Sequence, residues 1–253
     1  MLHSRETADA ARPGVRPLVL VHGSGTTSRY FRPLLNALDG RLPAVALELP
    51  GIGHSPPTEV PTDVAGLADV LADWLRTTGR HPTTVVGNSM GCQVVTDLAI
   101  RHPELVGHVA LIGPTVDRHR HGFFRQAGRL LLDATRERPS LVATAVTDGL
   151  LTNRLAAITY VRAALRHRLD RRLPLVRHPV LIVRGERDPM VGRRWVEELA
   201  AITPDARLVE LPGAAHGTHH GRPHGVADLL VALASPDRRE ADGDDQRGTA
   251  AGI

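Results

Sequence analysis

Six short, almost wholly apolar runs recur along the chain, each closed by turn residues. They occupy residues 17–21, 44–49, 83–87, 108–112, 180–183 and 207–211. Most are too short and too continuously apolar for strands with one wet face, and they suit a parallel sheet covered on both sides. Segments of helical period lie between them. Residues 64–76 put Leu67, Val70, Leu71, Trp74 and Leu75 on one stripe and Asp69 and Asp73 opposite, and residues 90–101, 195–201 and 226–234 read similarly. Strand, turn, helix and strand in alternation predict an α/β fold built on a mostly parallel, doubly wound sheet.

One stretch breaks the rhythm. Residues 114–179 show helical but no strand periodicity, with candidate helices at 123–137, 141–150 and 156–169. That is too long for an ordinary connection and predicts a helical cap inserted over the sheet edge. The core is then expected at 15–113 and 180–235. Residues 1–14 and 236–253 are expected to be disordered, because they offer almost nothing to bury.

Composition narrows the function. The 253 residues hold 31 Lys+Arg against 27 Asp+Glu, a formal charge of +4, so no strong field steers a polyanion. The basic runs carry almost no aromatics, and three Phe, two Tyr and two Trp make a poor stacking platform for nucleic acid. One cysteine, Cys92, rules out an internal disulfide and a Cys-based structural zinc site. No apolar leader or 18-residue apolar run is present, so a cytoplasmic protein with no membrane contact, monomeric or homodimeric, is expected.

The sharpest chemical signal is Gly87-Asn88-Ser89-Met90-Gly91, between the third run and a helix. This G-x-S-x-G spacing is a nucleophile elbow: a tight turn that lifts Ser89 clear at the carboxyl end of the sheet and leaves the Met90 N–H at a helix start. A serine needs a base oriented by an acid. His216 follows the last run and Asp188 the fifth, so both leave the strand ends where Ser89 emerges. Asp117 and Glu186 are alternative acids. His22-Gly23-Ser24-Gly25 closes the first run and offers the Ser24 N–H as partner to that of Met90 in an oxyanion hole, with His22 as a structural hydrogen-bonder. His219, His220 and His224 lie near His216 without a placed carboxylate or thiol and are expected to be solvated loop residues rather than a metal site. Cys92 is expected to be a small buried thiol.

LVLVHGSG at 18–25, ELPGIGHS at 48–55, VVGNSMG at 85–91, VRGERDPMV at 183–191 and LPGAAH at 211–216 resemble, in order, the motifs of α/β-hydrolase-fold enzymes. The elbow and His-Gly-Ser-Gly are also similar, in part, to those of the carbon–carbon bond (meta-cleavage-product) hydrolases. This chain departs from them at Cys92, where they tend to have glycine, and at Gly217, where they have tryptophan. Glu48 stands where relatives usually have Asp. The resemblance implies an α/β-hydrolase fold with a helical cap and a shortened N-terminal edge. It also implies a catalytic Ser89, Asp188 and His216, with Ser24 and Met90 as backbone oxyanion donors, and neither cofactor nor metal. A serine hydrolase of a small to medium, partly apolar carboxylic ester, lactone or thioester is the expected function. The alternatives are a carbon–carbon hydrolase or another pathway-specific enzyme on this fold, and a non-catalytic binding domain. Leu130, Leu131, Leu132, Leu150, Leu151, Ile158 and Tyr160 are candidates either to line a pocket or to pack the cap.

Overall fold

A computed structural model describes residues 2–12, 14–58, 63–120 and 123–235. Among these residues seven strands form one sheet: β1 (Ser4–Glu6), β2 (Leu18–Val21), β3 (Ala44–Leu47), β4 (Thr83–Asn88), β5 (Val106–Ile112), β6 (Val180–Gly185) and β7 (Ala206–Leu211). Their order is β1-β3-β2-β4-β5-β6-β7. All neighbouring strands run parallel except β1, which pairs antiparallel to β3. The helices are α1 (Arg32–Leu38), α2 (Val64–Thr78), α3 (Gly91–Arg101), α4 (Phe123–Arg136), α5 (Pro139–Leu151), α6 (Arg154–Arg166), α7 (Leu169–Arg172), α8 (Arg193–Ile202), α9 (Thr218–Gly221) and α10 (Pro223–Ala234).

The apolar runs are explained by two cores, one on each face. Successive side chains on a strand point to opposite sides. Val19 and Val21 of β2, with Val45 and Leu47 of β3, pack against α2, α3 and α8 through Leu71, Val94 and Trp195. Leu18 and Leu20, with Ala44 and Ala46, pack against α1 and α10 through Leu34, Leu38 and Leu230. Each such fully buried leucine contributes about 1.5–3 kcal/mol. Asp63 starts α2 by accepting the Gly66 N–H at 2.9 Å. Among the described residues no helix is long and apolar enough to cross a membrane.

Helices α4 to α7 lie between β5 and β6 and form the cap region expected there. It is tied to the body by the packing of Tyr160, Ala164 and Leu169 into the core and by polar contacts. The Tyr160 hydroxyl donates to the Pro50 carbonyl at 2.7 Å, and the Asn153 N–H to the Gly51 carbonyl at 3.0 Å. The N–H and hydroxyl of Thr27 both donate to Asp148 Oδ2 at 2.9 Å. Leu130, Leu131, Leu132, Leu150 and Ile158, candidates for pocket or packing, are instead exposed, Leu150 by 82%. The side chain of Leu151 lies outside the described set.

The N-terminus corrects the expectation of disorder over residues 1–14. Ser4–Glu6 extend the sheet, and Ala8–Ala11 form a 3-10 turn. The strand is held by backbone bonds and by loop contacts, such as the His3 N–H to Ser55 Oγ at 2.9 Å, so hydropathy does not signal it. The expected disordered tail, 236–253, falls outside the described residues.

Candidate active site

Ser89 sits between the end of β4 and the start of α3 with φ at 55°, a left-handed conformation that costs a non-glycine residue about 1–3 kcal/mol. The flanking glycines make the turn possible by close approach. A methyl group on Gly87 would run into the backbone of Gly91 and Cys92, and one on Gly91 into the Val21 carbonyl. The Ser89 N–H donates to the Ile112 carbonyl at 3.0 Å, which pins the elbow to β5. The serine is partly exposed, and its hydroxyl lies 3.4 Å from Thr115 Oγ1. Met90 follows at the helix start, where a backbone N–H has no intrahelical acceptor. The Ser24 hydroxyl donates to Met90 Sδ at 3.2 Å, so the two expected oxyanion residues are neighbours.

Asp188 and His216 meet at the same strand ends. Asp188 is 3% exposed; its Oδ1 accepts the N–H groups of Met190 at 2.7 Å and Val191 at 3.0 Å. Its Oδ2 lies 2.8 Å from His216 Nδ1. The imidazole lies against Gly113, where a methyl group would stand 2.9 Å from its Cε1 and Nδ1. Gly113 directly follows Ile112, the residue that holds the Ser89 N–H, so ring and elbow are near neighbours. Burial alone would lower the His216 pKa. The charge and hydrogen bond of Asp188, followed by the charges of Asp133 and Glu137, outweigh it and push the value up to about 9. The alternative acids are engaged elsewhere. Asp117 accepts the N–H groups of His119 at 2.8 Å and Gly192 at 3.1 Å, and Glu186 that of Gly213 at 2.8 Å.

Residues 18–229 match the sequence profile described as the alpha/beta hydrolase family. The chain belongs to the alpha/beta hydrolase family. The chain is 28% identical over 238 residues to 2-(acetamidomethylene)succinate hydrolase of Mesorhizobium japonicum, a match covering 84% of this chain and 86% of the relative. It is 27% identical over 231 residues to pimeloyl-[acyl-carrier protein] methyl ester esterase of Neisseria meningitidis, covering 80% and 87%. The enol-lactonase of Burkholderia xenovorans LB400 superposes with a TM-score of 0.76 at 23% identity, covering 92% of this chain and 95% of that one, a likeness of fold.

Other polar residues of the chain have structural work. His22 Nδ1 bonds the Gly23 carbonyl at 2.7 Å and Nε2 accepts the Leu49 N–H at 3.0 Å; burial lowers its pKa, so it is a neutral brace, as expected. Cys92 is buried, and its thiol donates to the Gly87 carbonyl at 3.2 Å; burial pushes its pKa up. His219 and His220, expected to be solvated, are buried instead. The ring of His219 packs 4.2 Å from that of Tyr30 and 4.7 Å from that of Phe31, and burial drives its pKa well down. His224 is exposed. Among the described residues, His3, Glu48 and His54 could bring three metal-ligating atoms within 4.8 Å of one another. Both oxygens of Glu48 already serve as loop anchors, Oε1 accepting from Ser28 Oγ at 2.7 Å and Oε2 from the His54 N–H at 2.6 Å, so the trio reads as a polar brace.

Sequence reasoning missed three cap carboxylates. Asp133 Oδ1 accepts the His216 N–H at 3.2 Å, Glu137 accepts the Gly217 N–H, and Asp148 grips Thr27 just beyond the His-Gly-Ser-Gly loop. Acids within a helical pattern ordinarily mark a solvated face, so no local signal set these apart.

Proposed function

We propose that this hydrolase cleaves a carboxylic ester, lactone or thioester of a small to medium, partly apolar acyl substrate through an acyl-enzyme on Ser89. His216 Nε2 takes the proton from Ser89 Oγ as the oxygen attacks the acyl carbonyl. Asp188 holds the Nδ1–H tautomer and stabilises the imidazolium. The N–H groups of Ser24 and Met90 receive the developing oxyanion. His216 then hands the proton to the departing alcohol or thiol. A water deprotonated by the same nitrogen attacks the acyl-enzyme and restores Ser89. Every step runs on groups of this chain.

The observation that carries the reading is the 2.8 Å contact of Asp188 Oδ2 with His216 Nδ1, beside a serine strained at φ 55°. The contact of Ser89 with Thr115 describes a resting hydroxyl; in such sites the serine–histidine bond tightens as substrate enters. The names of the relatives support the substrate class: one is a methyl ester esterase, another an enol-lactonase.

Intact-mass analysis after incubation with a fluorophosphonate tests the proposal. One adduct is expected on the wild-type chain and none on Ser89→Ala, and a panel of esters, lactones and acyl thioesters then finds the leaving group. A folded wild type that stays unlabelled and inert across the panel, or a Ser89→Ala variant that still turns over activated esters, removes the mechanism.

A further inference from the structure

The loop that carries His216 is held from above by the cap. Asp133 and Glu137 stand four residues apart, one helical turn, so their side chains project from the same face at the end of α4. Each takes one of two consecutive backbone N–H groups, Asp133 that of His216 and Glu137 that of Gly217. Asp133 is 6% exposed and Glu137 is half-buried. A side chain at position 217 would leave them no room: a methyl group on Gly217 would lie 2.5 Å from Leu141 Cδ2 and 3.1 Å from Glu137 Oε1. The glycine and the two acids therefore form one arrangement, and it brings two further carboxylates to the base already paired with Asp188.

We propose that Asp133 and Glu137 are positioning residues, a two-carboxylate clasp through which α4 holds the His216 loop and sets how tightly the imidazole keeps its proton. The proposal rests on the reading of His216 as the base. Two segments bring acidic groups to the ring: Asp188 comes from the loop after β6, and Asp133 and Glu137 from the last turn of α4 and the residue just past it, with Arg136 partly offsetting Asp133. His219 of α9 is neutral, and Tyr30 stays protonated because burial and these same acids raise its pKa. Burial pushes the Glu137 pKa up to about 7, so its charge is the one that switches near neutrality. With Glu137 charged, the imidazolium is favoured and His216 is a poor acceptor for the serine proton. With Glu137 neutral, the ring releases its proton more readily while the Gly217 N–H keeps its acceptor.

Glu137→Gln separates the charge from the hydrogen bond, because the amide oxygen can still accept from Gly217. Two readouts apply: the pH profile of kcat/KM on an activated ester, and the His216 imidazole titration followed by NMR. The acidic limb and the NMR pKa are both expected to move down by about one unit, which on that limb is roughly a tenfold gain at fixed pH. Asp133→Asn is expected to move them the same way and serves if the first variant does not fold. An NMR pKa that is unchanged or higher in folded Glu137→Gln overturns the clasp. The NMR arm needs no turnover, so a chain that hydrolyses nothing defeats the proposed function while the clasp is still judged on its titration.

Discussion

Asparagine at position 188 isolates what the acid does for the base. Asp188 Oδ1 accepts two backbone N–H groups, so an asparagine there is fixed with its oxygen toward Met190 and Val191. Its NH2 then faces His216 Nδ1, which must act as acceptor. The ring proton moves to Nε2, the atom that has to receive the proton of Ser89. Asp188→Asn is expected to keep the fold and lower kcat by about 10³–10⁴-fold, with fluorophosphonate labelling slowed in parallel. Turnover within about tenfold of wild type would take Asp188 out of this role. Ser89, Asp188 and His216 were legible in the sequence because each sits in a short loop directly after an apolar run, where chain order and sheet polarity put them on one edge. Asp133 and Glu137 were not, because their partners are backbone N–H groups 83 and 80 residues away, which leave no side-chain pattern. The burial of His219 escaped for a related reason: it depends on Tyr30 and Phe31 from the far end of the chain.

Among the elements, the cap differs from the body in what holds it. The sheet and its flanking helices are cemented by the two apolar cores, to which α6 contributes Tyr160 and Ala164 and α7 contributes Leu169. Leu131 and Leu150 point to solvent, while buried Asp148 ties α5 to Thr27. Stability of α5 against the body should therefore track this polar tie rather than its exposed leucines, Leu141 and Leu169 being the buried ones of the cap. Asp148→Ala leaves the Thr27 N–H and hydroxyl without their acceptor in a buried place and is expected to destabilise the protein by about 1–3 kcal/mol. Because Thr27 lies two residues past the His-Gly-Ser-Gly loop, KM should rise as well. Leu150→Ser is expected to change stability by less than about 0.5 kcal/mol. Denaturant unfolding of the two variants decides it, and a larger loss in Leu150→Ser would mean that apolar packing holds the cap. The helices of this region were readable from periodicity, but their docking was not, since polar ties between distant segments have no period.

For the molecule as a whole, a sheet buried on both faces beneath a polar-tied cap implies two levels of stability with different pH dependence. The parallel order was implied by the apolar runs, whereas β1 was not, because three residues held by backbone bonds lack an apolar signature. The strands carry few ionisable side chains in their cores, so their protection should be flat across the neutral range. The cap contact is different. Burial raises the Glu137 pKa from 4.5 to about 7, which favours its neutral form. This contact is most stable below the unfolded value and weakens as pH climbs from 4.5 to about 7. His216 is raised from 6.5 to about 9, so its favourable contribution is complete below 6.5 and is lost as pH rises through 9. The two slopes have the same sign. Hydrogen exchange in α4 and α5, corrected for intrinsic rates, should be faster at about pH 8.5 than at about pH 5.5, with β4, β5 and β6 unchanged. Glu137→Gln should flatten the lower part of that slope and leave the upper part, which belongs to His216. Equal protection of α4 at both pH values would mean that the cap is held by contacts insensitive to these two groups, and faster exchange on the acid side would mean that the charged form of Glu137 is the one that holds it.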